Sequence, residues 1–407
     1  MTKTKTSVDH SNDQRVTSNE TFSERNNQMT HNNYKTLETV TESTLSTIGE
    51  SKNASQLLFE AIKEGQVEVA KFLISYGADV NANDDDDDHY RKPLHCAVWC
   101  NSDITILKLL VSNGAEINGI NGIYEVPLHY AAKCGNIEAA RFFIEQGADI
   151  HAEGDDGDTP LHTAAWNANV EVIRFLVEQG ADIHAENYGG ETPLHCAASG
   201  GNIEAVRFFV EQGADIHAKD SGYETLLHKA ARNKNIEVAR FFIEQGADIH
   251  AEDSEYETPL HKAAWNTNVE VIRFLVEQGA DIHATDHFSE TPLHIAAYNK
   301  NVEVSRFFIE QGADVNAKGN CGEIPLHRAA QWNKNVEVAR LLVTCGAKVN
   351  ATDNKGKTPL DLAKKKSNTA VVEYLSSVKR KKNAERRKKI NAAIAMLMEI
   401  ATDLDTV

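Results

Sequence analysis

The sequence predicts an all-α solenoid of about ten helix-turn-helix units, and three observations lead to it. The first is a word, Thr159-Pro160-Leu161-His162-Thr163-Ala164-Ala165, that keeps returning. Its histidine falls at His129, His162, His195, His228, His261, His294 and His327, each 33 residues after the last. The second is the apolar run behind each word, residues 170–177 in this copy, and the third is a closing phrase, Gly180-Ala181-Asp182-Ile183-His184-Ala185. A fixed period of this length signals stacked structural units. One such unit cannot bury its own apolar face, whereas a stack can.

Each part of the unit has a local physical reason. Thr159 is a good N-cap and Pro160 suits the first helical position, so a helix is expected to start there. Leu161, Ala164 and Ala165 give it a small apolar face that allows close approach by a neighbour. In the second helix Glu171, Arg174 and Glu178 share one wet stripe, and Val172, Ile173, Phe175, Leu176 and Val177 fill the remainder. That helix must therefore be covered on more than one side. Gly180 is placed to take the left-handed conformation that ends it, and residues 181–192 read as a turn leading to the next cap.

The Thr-Pro-Leu-His-x-Ala word at this period resembles the signature of the ankyrin repeat family. The resemblance implies helix-turn-helix units joined by projecting β-turn fingers, a concave inner face, and a role in gripping other proteins. The regular repeats and the Asn, Lys and Ile usage also look like ankyrin proteins of host-associated intracellular bacteria, which implies an effector acting on host proteins.

Along the chain, residues 1–53 are rich in Ser, Thr and Asn with no sustained period, and read as a disordered leader. Leu37, Val40, Thr44 and Ile48 within it could form one or two amphipathic turns on binding. The array is expected over 54–378. It opens on a degenerate unit in which Phe59 takes the histidine slot, as befits a terminal cap. The acidic run at 84–88 lengthens the next finger by three residues. It lacks the glycine-punctuated spacing of a calcium loop and reads as solvated. Units from 126 to about 319 are nearly identical, as internal duplication would leave them. The units at Lys92 and Ile324 each carry one extra residue before Gly114 and Gly346, where helix register is expected to shift. The last unit, 350–378, places Asp361 in the histidine slot and has a polar outer helix that suits a C-terminal cap.

Residues 379–407 form a basic, amphipathic tail. Lys379, Arg380, Lys381, Lys382, Arg386, Arg387, Lys388 and Lys389 against Glu385 give the stretch +7; removing that from the net −18 leaves −25 on the remainder. Two basic clusters resemble a nuclear import signal. The Ile390, Ile394, Leu397, Met398 and Ala401 side suits an anionic membrane surface or a partner's groove, and a solvated helix on the last unit is the alternative.

The chemistry classes narrow in the same way. No apolar run approaches the ~18 residues of a membrane span, and the start lacks a signal-peptide core, so a cytoplasmic protein is expected, with nuclear or host-cell delivery as further destinations. Six cysteines without zinc-like or paired spacing read as reduced thiols. No Gly-x-x-x-x-Gly-Lys, Gly-x-Ser-x-Gly or His-Glu-x-x-His word occurs, so no enzyme, catalytic residue or cofactor is expected. Stacked helical units sit ~8–10 Å apart, too far for histidines in one column to share an ion. Both the column after Pro-Leu and the column His151, His184, His217, His250 and His283 therefore read as structural, and no metal is expected. The partner class is protein, with no direct nucleic-acid contact.

The candidate binding residues come from two columns. Trp99, Trp166 and Trp265 take the slot after the Ala-Ala or Ala-Val pair, Lys133, Ser199, Arg232 and Tyr298 share it, and Trp332 lies one place further on. The family resemblance puts that variable slot on the concave face. Three residues earlier stand Thr163, Lys229, Lys262, Ile295 and Arg328, so rings are expected to alternate with cations, the composition of binding hot spots. The finger-tip position that is glycine at Gly157, Gly190, Gly322 and Gly356 is tyrosine at Tyr90, Tyr124, Tyr223 and Tyr256. Either the turn differs at the tyrosines or the ring makes a contact worth ~1 kcal/mol of left-handed strain.

Overall fold

A computed structural model describes residues 53–84, 89–100, 103–166, 170–265, 269–299, 301–332 and 335–404, with side chains to 396. The expected leader up to residue 52 and residues 85–88 of the acidic run lie outside the described residues.

Among the described residues the chain forms ten helix pairs. The first helices are α1 (Ala54–Lys63), α3 (Pro93–Trp99), α5 (Pro127–Cys134), α7 (Pro160–Ala165), α9 (Pro193–Gly200), α11 (Leu226–Arg232), α13 (Pro259–Ala264), α15 (Pro292–Tyr298), α17 (Pro325–Trp332) and α19 (Pro359–Lys365). Each is followed by its partner: α2 (Val67–Ser75), α4 (Ile104–Ser112), α6 (Ile137–Glu145), α8 (Val170–Glu178), α10 (Ile203–Glu211), α12 (Ile236–Glu244), α14 (Val269–Glu277), α16 (Val302–Glu310), α18 (Val336–Thr344) and α20 (Thr369–Leu404). Every first helix packs on its own partner and on the next first helix, and second helices line up behind them. The core is thus a ribbon running the length of the stack.

The unit built on Thr159 shows why. Leu161, Ala164 and Ala165 are fully buried, and Val172, Ile173 and Leu176 are equally so. Glu171, Arg174 and Glu178 stay exposed, as their spacing demands. Arg174 is nevertheless not idle, since its guanidinium lies 4.5 Å from the centroid of Phe208 in the next unit. The same contact recurs from Arg141 to Phe175, Arg207 to Phe241, Arg240 to Phe274 and Arg273 to Phe307. A cation over a ring is worth ~0.5–1 kcal/mol at an exposed site, and here it is repeated at five successive joints. Gly180 ends α8 at φ 98°, with open space where a Cβ would stand.

The histidine after Pro-Leu ties each unit to the next. In the Thr159 unit, His162 Nδ1 accepts the backbone N–H of Thr159 at 3.1 Å, closing the helix start, while its Nε2–H donates to the carbonyl of Glu191 one unit on at 2.9 Å. The equivalent outward bond runs from His95, His129, His228, His261, His294 and His327. His195 keeps the inward bond, but its Nε2 has no partner. In the last unit no carbonyl follows. Asp361 there caps Thr358 through its backbone N–H and hydroxyl, which is the inward half of the histidine's work.

The second histidine column departs from expectation. At Asn118 and Asn316 the side-chain amide donates to a glycine carbonyl one unit on and accepts a backbone N–H two residues further, as it does at Asn81. His151, His184, His217, His250 and His283 occupy that slot with exposed side chains, and only their backbone N–H is held, by the aspartate two residues earlier. An amide carries donor and acceptor on one end, whereas an imidazole carries them on separate ring positions and cannot make this bridge.

Fingers are turns, not hairpins: the sole isolated bridge among the described residues pairs Lys219 with Thr225. Single backbone bonds link tip to tip, as from Tyr188 to Asp156, Ser221 to Gly189 and Ser254 to Gly222. At the tips Tyr90, Tyr124, Tyr223 and Tyr256 adopt φ of 48° to 61°, so the left-handed turn is kept and the strain accepted. In the unit at Ile324 the inserted residue is absorbed where the first helix ends: α17 runs one residue longer than α15, and Trp332 still meets Tyr298 at 6.0 Å between ring centroids.

Burial holds all eight histidines of the first column below the usual imidazole range, His95 and His294 at about 4. With folded values beneath the unfolded ~6.5, the unfolded chain binds more protons as pH falls, so stability is whole above ~6.5 and drains between there and ~4. Melting followed by circular dichroism is expected to fall by at least ~5 °C from pH 7 to pH 5.5, and to change little between pH 7 and pH 8.

Candidate interaction face

The exposed rings sit where the first helices end. Trp99, Trp166, Trp265, Tyr298 and Trp332 leave 41–53% of their surface open, although alanines one or two residues earlier are fully buried. Neighbouring rings touch: Trp99 meets the buried Tyr130 edge-on at 6.0 Å, and Trp265 meets Tyr298 edge-on at 5.2 Å. Cations flank the two ends of the row, Arg91 and Lys133 over Trp99 and Lys366 over Trp332. Each ring is thus half supported by the stack and half offered to solvent.

The cations expected to alternate with the rings are held by carboxylates of the array. Lys229 and Lys262 are buried beneath the row, not beside it. Lys229 Nζ reaches Glu191 at 2.5 Å, Asp220 at 2.6 Å and Glu224 at 3.0 Å. Lys262 Nζ reaches Asp253 at 2.5 Å, Glu224 at 2.9 Å and, more closely, Glu257. Their slot lies one helical turn before the ring slot and faces the root of the finger, where the carboxylates stand. Arg232 shares the ring slot yet bends back to grip Glu224 through both terminal nitrogens. Arg328 is bound to Glu290 and Glu323.

Electrostatics fit that arrangement. Burial pushes the Glu224 carboxyl up, but hydrogen bonds from Lys262 and Lys229, with the charges of Lys229 and Arg232, outweigh it and bring the group to about 2. Burial lowers both lysines, and their carboxylate partners more than reverse it. These ions belong to the body of the array.

At the finger tips Tyr90, Tyr124, Tyr223 and Tyr256 are each more than half exposed, and Tyr256 stacks on His287 of the next finger. At the far end, α20 is one uninterrupted helix from the last unit into the tail. Its first turns pack through Val371 and Leu375, and residues 379–396 are exposed all round. Lys379, Arg380, Lys381, Lys382, Arg386, Arg387, Lys388 and Lys389 therefore stand in solvent, with Ile390 and Ile394 about half open beside them. Side chains of Leu397, Met398 and Ala401 lie outside the described residues. No helix among the described residues is long and apolar enough to cross a membrane.

Paired helices in a one-dimensional stack, tied unit to unit and varying along one open face, define a repeat solenoid. The chain belongs to the ankyrin repeat family. A family model of ankyrin repeats in three copies matches it in overlapping stretches, residues 30–121, 94–187, 128–220, 184–253, 220–286, 260–353 and 293–387. The first match begins inside the segment read as a leader. Ankyrin repeats are protein–protein interaction modules and are typically non-catalytic.

Removing one partner from a buried ion cluster strands the others, at a cost of ~3 kcal/mol. Lys262→Met is therefore expected to lower stability by about that amount in urea unfolding, with Lys71→Met, at an exposed position, as the surface comparison.

Proposed function

We propose that the chain is a non-enzymatic scaffold that holds a protein partner along the ring row, working inside a cell. The observation that carries this reading is the half-exposure of Trp99, Trp166, Trp265, Tyr298 and Trp332 in corresponding slots of separate units. Rings needed only for packing would be covered like Phe143 or Phe209, which are fully buried. Pre-positioned aromatic side chains lose little freedom on binding, and buried in a contact each is worth ~2 kcal/mol or more. An action on host proteins is the narrower form of the same proposal, in which the partner is drawn from a host extract.

The test is a double substitution, Trp166→Ala with Trp265→Ala. Melting temperature is expected to stay within ~3 °C of the parent, while proteins captured by the parent array are retained at least ~10-fold less. Lost melting temperature with unchanged capture would assign the rings to the stack.

A second reading rests on the exposed cations of α20: the tail carries the scaffold into the nucleus, where the array docks onto regulators. Fused to a fluorescent reporter, residues 379–407 are expected to concentrate it in nuclei, and replacing Arg386, Arg387, Lys388 and Lys389 with Gln is expected to abolish that. Unchanged location, together with unchanged binding to anionic vesicles, would leave the tail a solvated end.

A further inference from the structure

Beneath the ring row the two buried lysines follow one rule. Each ammonium is held by the carboxylate nine residues earlier, the one five residues earlier, and the one thirty-eight residues earlier in the preceding unit. For Lys229 these are Asp220, Glu224 and Glu191, and for Lys262 they are Asp253, Glu257 and Glu224. In the next unit the same three positions are Asp286, Glu290 and Glu257, but the lysine slot is Ile295, which has no donor to offer. The loop that aims the aspartate is unchanged. Asp286 Oδ1 accepts the N–H of Phe288 at 2.8 Å and of Glu290 at 2.7 Å, as Asp253 Oδ1 accepts Glu255 at 2.8 Å and Glu257 at 2.9 Å.

Outside Ile295 the structure opens into a cavity of about 580 Å³. Asp286, Glu257 and Glu290 form part of its lining, and Trp265, Tyr298 and Phe288 supply the aromatic walls. Charge around it is unbalanced. Glu290 is shared with Arg328, and Glu257 with Lys262, which also serves Asp253 and Glu224. Burial, together with the neighbouring charges of Asp286 and Glu323, leaves the Glu290 carboxyl above the usual range although Arg328 also lines the cavity and lowers it, so a further cation would be welcome there.

We propose that this cavity is a lysine-binding subsite, in which a partner's lysine lays its stem against the joined faces of Trp265 and Tyr298 and places its ammonium among Asp286, Glu290 and Glu257. It rests on the reading that the partner lies along the ring row. Two sibling cradles in the same molecule hold this very ammonium, which is what separates the site from a mere acidic patch. A compact ammonium with three donors matches three converging carboxylates, whereas a planar guanidinium favours the two-pronged grip that Arg328 already makes. The rings add cation–π attraction and exclude water from the charge.

The probe is a blocked Gly-Gly-Lys-Gly-Gly peptide, read by saturation-transfer NMR against the full chain. Saturation transfer to the lysine side chain is expected, and acetylating Nζ is expected to weaken binding at least ~10-fold. Ile295→Lys, which supplies the ammonium from within as its neighbours do, is expected to fold and to abolish binding. Asp286→Asn, which keeps the loop and removes the charge, is expected to weaken it ~10-fold. Equal binding of the acetylated peptide, no transfer to the lysine peptide, or undiminished binding by Asp286→Asn would overturn the subsite, and Ile295→Lys that folds yet still binds would do the same. If those results come while Trp166→Ala with Trp265→Ala still loses the partner, the subsite alone falls and the row stands.

Discussion

The structure depends on one two-ended hydrogen bond. A neutral imidazole accepts at the start of its own helix and donates to the carbonyl of the following unit, so secondary structure in one repeat is completed by the position of the next. Backbone groups must be paired when buried, and a helix start leaves several donors unpaired. The histidine satisfies one of these and spends its other nitrogen on the joint. A repeat built this way is a poor structure alone and a good one in company, which is why the two ends depart from the pattern. Phe59 is packed in the slot of the first unit, and Asp361 caps the last without reaching outward.

Charge follows the same neighbour logic on both sides of the helices. Behind them, an arginine of one unit covers an aromatic ring of the next. In front, Glu224 is held at once by Lys229 and Arg232 of its own unit and by Lys262 of the following one. An acidic chain thus confines part of its surplus to a buried belt in which carboxylates outnumber the cations that serve them. Buried ions add little net stability against an apolar replacement, yet they penalise any unit whose partners are missing. The belt therefore helps to define unit order more than it strengthens the stack.

Much of this was legible in the residues. The cap at Thr159, the helix start at Pro160, the buried Leu161-Ala164-Ala165 face, the wet Glu171 and Glu178 and the terminating Gly180 all follow from local spacing, because each concerns one unit and its own period. What local spacing could not supply was the neighbour. Arg174 reads as solvated until Phe208 is placed beneath it, and Lys229 reads as a surface cation until Glu191 arrives from the unit before. A signal was present in both cases: an Arg-Phe pair recurring at the repeat period, and acids nine and five residues ahead of each lysine. Using it requires knowing the offset between stacked units, which is a property of packing. The tyrosine tips are a different case, since strain at φ near 60° is visible only in the backbone itself.

The continuity of α20 gives the tail a mechanical character. A helix that starts against packed turns needs no separate nucleation, so it can extend into water where an isolated segment of its composition would melt. Residues 379–404 would then project ~39 Å at 1.5 Å per residue, as an outrigger and not a leash. A flexible leash lets its cargo tumble; an outrigger passes on orientation. Whatever captures the basic clusters would thereby set the angle at which the whole array, and its row of rings, meets anything else nearby.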